Sequence, residues 1–284
     1  MSKAAQVIQT LGPDCYRSFM EQTADGVDAI THKALVQFHD SPTPVDAYVK
    51  VYCRHSAPKG LVNELIGYAL AKHDGLDVPY RAGILLLAPE QATFLPASIA
   101  PHVTTNGEVV AWCVQSIGGS TPLQVYRLKT DPVNGFSALR ADFKKWKQLA
   151  KVISLDAWLL NEDRNMGNLV RVGSGRYAVI DHGRVCTGNS WVVPLDRMRM
   201  KHSNKAALAA WEDQDIDRAP AQYQAPILTS CDHHAATFEE GALDLDYWLS
   251  VLVSPEEKED VTHFVAGRTR DLGAHLRAAY GLLL

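Results

Sequence analysis

Four residues of this sequence have the types and spacing to do chemistry together: Asp163, Asn168, Asp181 and Lys50. Asp163 and Asn168 stand five positions apart in "DRNMGN", and Asp181 closes the apolar run "YAVID". An amide oxygen and a carboxylate are hard ligands. They suit Mg²⁺, which takes one or two carboxylates together with phosphate oxygens and water. A further carboxylate nearby can orient a hydroxyl nucleophile and accept its proton. An Asp, an Asn five residues later and a strand-ending Asp beyond form the order in which protein kinases carry a catalytic base and two metal ligands. Phosphoryl transfer uses such parts because its transition state spreads charge over oxygens, so catalysis is mostly positioning and neutralisation.

These residues need elements to hold them. "NLVRV" and "RYAVID" flank "GSG", the pattern of a β-hairpin. With Ser174 and Gly175 as a two-residue loop, Val172 faces Tyr177, Leu169 faces Ile180 and Asn168 faces Asp181. Opposed residues hold their Cβ atoms about 4.5–5.5 Å apart, a gap one cation can bridge. Lys50 lies in "DAYVKVY", where strand alternation puts Tyr48, Lys50 and Tyr52 on one face and Ala47, Val49 and Val51 on the other. Helix 61–73 follows, with an apolar stripe of Val62, Leu65, Ile66, Ala69 and Leu70. Its Glu64 is the natural ion-pair partner for Lys50, yet it falls almost opposite that stripe, a position from which it would pivot in the first turn.

Around these, "YRSFMEQT", "KALVQF" and "DAYVKVYC" read as three antiparallel strands separated by the turns "ADGVD" and "HDSPTP". Two further strands lie in "GLDVPYRAGILLLA" and "EVVAWCVQSIGGSTP", the second stopping at Gly118-Gly119, the expected hinge. Beyond it the pattern is helical, at both ends of 137–162 and in a last helix opened by Ser254, Pro255 and Glu257 as a capping box. Strands first and helices second give an α+β fold of two lobes, 1–117 and 118–284. Residues 200–245 give no clear element, and "CDHHAATFEE" at 231–240 reads as a solvated loop because no second Cys/His cluster accompanies it. Trp146, Trp158, Trp211 and Trp248 read as core.

In combination these motifs resemble the HipA-like kinase family, a bacterial branch of the protein-kinase-like fold whose catalytic loop is similar to that of phosphoinositide kinases. The residues carrying the resemblance are Asp156-Ala157-Trp158, Asn161-Glu162-Asp163-Arg164, Asn168 and Ile180-Asp181-His182-Gly183. Upstream, they are Glu64-Leu65-Ile66, Leu70-Ala71, Gly75-Leu76-Asp77-Val78-Pro79 and "YVKVY". The likeness covers roughly residues 16–190. It implies an ATP- and Mg²⁺-dependent kinase acting on Ser or Thr of a protein. Asp163 is then the catalytic-loop aspartate, Asn168 and Asp181 hold magnesium, and Lys50 contacts the nucleotide phosphates. Val114, Gln115 and Ile117 belong to a 114–117 adenine hinge. Two departures stand out. The glycine-rich phosphate loop of protein kinases is reduced to Gly26, leaving backbone amides and Thr31 to take its place, and His182 stands where protein kinases usually have Phe. The family also implies a possible antitoxin-like regulatory partner.

Bulk properties narrow the alternatives. A net charge of −4 with signs well mixed gives no nucleic-acid footprint, and the longest aliphatic run, "AGILLLA", is too short to span a bilayer. Five dispersed cysteines read as free thiols of a cytoplasmic protein. No "GxSxG" elbow supports a hydrolase. The rivals that stay open are a small-molecule or lipid kinase on the same fold, and a nucleotide-binding pseudokinase that regulates a partner. Each site residue alone also has a plainer role: Asp163 as a cap, Asn168 as a turn amide, Asp181 as a strand end.

Overall fold

The computed structural model describes residues 7–23, 28–199, 204–211 and 218–282. The turn containing Gly26 therefore lies outside the described residues. Apolar side chains alternate along β4 (Val45–Tyr52), so its two faces meet different surroundings. Ala47, Val49 and Val51 join a core shared with β1 (Ile8–Leu11), β3 (Ala29–Val36), β5 (Ala82–Leu87) and β6 (Val109–Gln115). Phe94 and Leu95 close that core from outside the sheet. Tyr48 and Lys50 face a cleft on the other side, and Tyr52 is buried in the larger core there. The sheet has six strands in the order β1-β5-β6-β4-β3-β2, with β2 spanning Tyr16–Gln22. All pairs are antiparallel except β1 with β5, which makes the sheet mixed. Strand β1 was not foreseen; four residues beside a Gly-Pro turn carry too little periodicity to register.

Helix α1 (Gly60–His73) corrects an expectation. It is buried from Gly60 to Ala71 on every side, Asn63 and Glu64 included. The reason is its place: the sheet covers one side, the 182–191 segment another and α6 a third. A helix enclosed all round has no wet face to mark with polar residues. Two glycines permit that closeness. An added Cβ at Gly60 would lie 2.2 Å from the Tyr52 ring, and one at Gly67 would lie 2.3 Å from His182 Cβ.

After the sheet the chain is mainly helical: α2 (Pro122–Val125), α3 (Pro132–Phe143), α4 (Leu149–Trp158), α5 (Lys205–Ala210), α6 (Ala221–Leu252) and α7 (Pro255–Tyr280). The fold is α+β. Ser254 caps α7 and Glu257 completes the box, as the sequence indicates. The four tryptophans are buried. "CDHHAATFEE", by contrast, lies inside the 32-residue α6. His234 and Cys231 face inward there, bonding to Ser154 of α4 at 2.8 and 3.2 Å, which explains polar residues that had looked like a loop.

A two-stranded hairpin, β7 (Leu169–Gly173) and β8 (Arg176–Val179), turns on Ser174-Gly175 as expected. Its register differs from expectation. A bulge between Arg171 and Gly173 puts Arg171 opposite Tyr177 and Leu169 opposite Val179. Asn168 consequently faces Ile180, whose N–H donates to its carbonyl at 3.2 Å, and not Asp181. One extra residue in one strand shifts all the pairs outward of it.

Candidate functional site

Lys50 is the centre of the site. Its Nζ lies 2.5 Å from Glu64 Oε1 and 3.0 Å from Asp181 Oδ1, joining β4, α1 and the end of the hairpin. Glu64 is fixed further by Tyr52 Oη, which donates to Oε1 at 2.9 Å, and by the His182 N–H, which donates to Oε2 at 2.9 Å. Burial opposes the charge on Lys50, but Asp181 and Glu64 outweigh it and hold the ammonium pKa above its ordinary value. Burial likewise pushes the Asp181 carboxyl up, and Lys50 reverses the sign to leave it below the usual range. Glu64 stays raised because burial exceeds the pull of Lys50. Asp181 has φ +59°, a left-handed turn at the end of β8. Its side chain is 42% exposed, so solutes reach the carboxylate.

The loop 161–168 is organised by Arg164, a fully buried residue. Its guanidinium pairs with Asp156 at 3.2 Å, donates to the carbonyls of Asn168 and Ile180, and donates to His182 Nδ1 at 3.0 Å. One cation thus ties α4, the loop and both ends of the hairpin. Because Nδ1 accepts from Arg164, His182 carries its proton on Nε2, which is buried without a hydrogen-bond partner among the described residues. Burial, with Arg164 and Lys50 adding, holds the His182 pKa well below normal and the ring neutral.

Asp163 projects from this loop with its N–H accepted by Asn161 Oδ1 at 3.1 Å. Its Oδ1 meets Lys205 Nζ of α5 at 2.8 Å. Asn168 donates from Nδ2 to the Asp163 carbonyl at 2.6 Å, which fixes the amide; its Oδ1 accepts no hydrogen bond among the described residues. Asn168 and Asp181 thus present two oxygens that a divalent cation could take, although the hairpin register does not oppose them directly. Among the described residues, no three or more His, Cys, Asp or Glu side chains cluster in a way that could hold a metal.

A cleft of about 530 Å³ opens between the sheet and the hairpin. Lys50, Glu64, Thr31, Val114, Gln115, Ile117 and Asp181 all line it. Asp163 and Asn168 are not among the lining residues; Asn168 adjoins the lining residue Gly167 and accepts from the lining residue Ile180, and its amide in turn donates to the Asp163 carbonyl. Thr31 sits opposite Lys50 in the β3–β4 register. At the cleft's edge, Gln115 donates its N–H to the Arg81 carbonyl and Ser116 donates to that of Asp46, while Ile117 makes no backbone–backbone hydrogen bond among the described residues. Gly118 and Gly119 follow with φ of +66° and +84°. A Cβ at Gly119 would meet the Arg171 carbonyl at 2.5 Å, so the chain crosses the hairpin in near-contact.

Sequence spacing missed several lining or neighbouring groups. Lys33, Tyr68 and Trp112 reach the cleft from the same sheet face and α1, beside Tyr48, which alternation already sets on the Lys50 face. Lys33 was legible from alternation too, since it shares parity with Thr31. Lys205 and Arg184 had no such signal. Arg184 grips Asp28, at the start of β3, through Nε at 2.5 Å and Nη2 at 2.9 Å.

A comparison with protein-family models finds none that matches this chain, and a comparison with curated proteins finds no match. All five cysteines are unpaired and buried, and among the described residues no helix is long and apolar enough to cross a membrane.

Proposed function

We propose that this chain is an ATP- and Mg²⁺-dependent phosphotransferase of two-lobed, protein-kinase-like architecture, similar to HipA-like kinases, acting on a protein Ser or Thr hydroxyl. The observation that carries this reading is the bridge of Lys50 between Glu64 and Asp181 at the floor of a cleft bordered by Asp163 and Asn168. Kinase chemistry needs a strand lysine held by a helix glutamate, beside a metal-binding aspartate. A structural ion pair alone would not require a loop aspartate and an amide oxygen without a protein donor at the same border.

In this reading the 114–117 edge receives the adenine, with Ile117 offering backbone groups that no other backbone group uses. The cleft volume falls within the range of about 300–1,000 Å³ common for small-molecule sites. Lys50, kept charged by its two carboxylates, holds the nucleotide phosphates. Asn168 and Asp181 would hold Mg²⁺, which supplies neutralisation of phosphate charge. Asp163 orients the acceptor hydroxyl and takes its proton as the new oxygen–phosphorus bond forms and the bond from the γ-phosphorus to the β–γ bridging oxygen breaks, releasing ADP. Arg164, through Asp156 and the two carbonyls, keeps the loop and hairpin in register. Lys205, on the Asp163 carboxylate, gives way to the acceptor or turns toward the transferred phosphoryl group.

That same Lys205 contact favours one second reading, a nucleotide-binding regulator whose base is blocked. Labelled ATP distinguishes the two. With Mg²⁺ and γ-labelled ATP, a phosphotransferase puts label on itself or on an added protein, and Asp163→Asn does not. Saturable nucleotide binding with no label on protein, lipid or small acceptor would refute transfer and leave the regulator.

A further inference from the structure

We propose that Arg184 is a phosphate-binding residue at the rim of the cleft and that Asp28 is its internal competitor, an anion that occupies the guanidinium until a nucleoside triphosphate displaces it. This rests on the phosphotransferase reading and adds to it a residue that spacing did not supply. Arg184 comes three positions after Asp181, beyond Gly183, which packs so close to Tyr52 that an added Cβ would lie 2.7 Å from its hydroxyl. The turn that presents the metal-binding aspartate therefore also sets the base of the Arg184 side chain. Neither Arg184 nor Asp28 is among the lining residues; Arg184 follows the lining residue His182 by two positions and Asp28 precedes the lining residue Thr31 by three, which sets the pair at the rim of the cleft.

The contact with Asp28 has the form an anion site takes when filled from within. Two guanidinium nitrogens meet two carboxylate oxygens, at 2.5 and 2.9 Å. A phosphate presents the same pair of acceptors to the same fork, with more charge. Both partners are reachable by solutes: the Arg184 side chain is 39% exposed and that of Asp28 is 23% exposed. The two belong to different parts of the chain, 156 positions apart. Lys50 is already committed to two carboxylates and Lys205 to Asp163. Arg184, like Lys205, is held by a single carboxylate, so a terminal phosphate can take it at the expense of one ion pair.

A simple structural ion pair and a competitor make opposite predictions for its two halves. Binding of MgATP and of adenosine is measured by calorimetry for the full chain and for Asp28→Asn, Arg184→Gln, Arg184→Lys and the double variant. The expected result is that Asp28→Asn tightens MgATP several-fold and Arg184→Gln weakens it about tenfold or more, roughly the worth of one charge-assisted bond. Adenosine affinity stays unchanged, and the Asp28→Asn gain vanishes in the double variant. Arg184→Lys, which keeps the charge and loses the fork, gives an intermediate loss and serves if the Gln variant does not fold. If Asp28→Asn and Arg184→Gln shift MgATP binding in the same direction, or if adenosine shifts as much as MgATP, the pair is structural and the proposal is overturned while the kinase reading stands. If the unaltered chain binds neither ligand, both are overturned.

Discussion

Asp163 and Arg164 are neighbours in sequence with opposite duties. Asp163 is partly exposed and reaches the border of the cleft, whereas Arg164 is sealed among carbonyls and carboxylates. Replacing Asp163 with Asn removes the proposed base and keeps the shape. Phosphoryl transfer should fall by about 100-fold or more, the usual worth of a general base, with MgATP affinity little changed. A labelled-transfer assay beside a binding titration checks this; retained transfer would remove Asp163 from the mechanism. Replacing Arg164 with Ala leaves Asp156 buried without its cation, a loss of about 3–5 kcal/mol, and urea unfolding measures it. The proximity of the candidate residues was legible at this scale because Asp163, Asn168 and Asp181 are close in sequence and Lys50 lies on a strand with plain alternation. Lys205 and Arg184 were not legible, because their partners lie 42 and 156 positions away and only the fold brings them together. Glu64 shows a different limit. A helical wheel sorts wet from dry, and α1 has no wet side.

The hairpin and α1 are the two elements that set the site. Asp142 pins the hairpin, accepting hydrogen bonds from Tyr126, Tyr177, Arg171, Ser174 and the Gly175 N–H at 2.6–3.3 Å. Burial would raise its pKa, but these donors reverse the sign and keep it well below the ordinary carboxylate range. Asp142→Ala should cost about 2 kcal/mol or more, since several donors lose a charged acceptor. Transfer activity should fall with it as Asn168 and Asp181 lose their mutual placement. Gly67→Ala acts from the other side. Its Cβ would collide with His182, so we expect a loss of about 1–3 kcal/mol from overpacking, together with weaker MgATP binding as Asp181 moves. Wild-type stability and nucleotide affinity in that variant would show that the helix and the 181–183 turn are not in fact tightly packed. The turn residues of the hairpin were readable because Gly175 and its flanking strands follow turn chemistry. The bulge was not, since neither Val172 nor Gly173 requires one by type.

Across the whole molecule, buried neutral histidines set an acid limit. Burial lowers His32 from 6.5 to about 4 and His234 from 6.5 to about 3, and burial with Arg164 and Lys50 lowers His182 as well. In the unfolded chain each imidazole binds a proton below 6.5, whereas the folded chain refuses it. The unfolded state therefore holds more protons, and stability is full above that value and falls as pH drops below it. Three protons correspond to a slope approaching about 4 kcal/mol per pH unit between roughly pH 6.5 and 5. Glu64, with its raised affinity, acts with the opposite sign and softens the slope at its lower end. Denaturant unfolding at pH 7, 6 and 5 checks it; a flat series would mean these rings are solvated. The α+β class and the order of strands before helices were legible because alternation and capping are local signals. The 200–245 region was not, because α6 carries the inward-facing polar residues His234, Thr237 and Asp244, whose partners Ser154, Asp74 and His73 lie on α4 and at the end of α1.

The most direct test is a crystal structure with a non-hydrolysable ATP analogue and magnesium. We expect the adenine at residues 114–117, Lys50 Nζ on a phosphate oxygen, and the metal bound by Asn168 Oδ1 and Asp181. An analogue bound elsewhere, or a metal touching neither of those two side chains, would contradict the account.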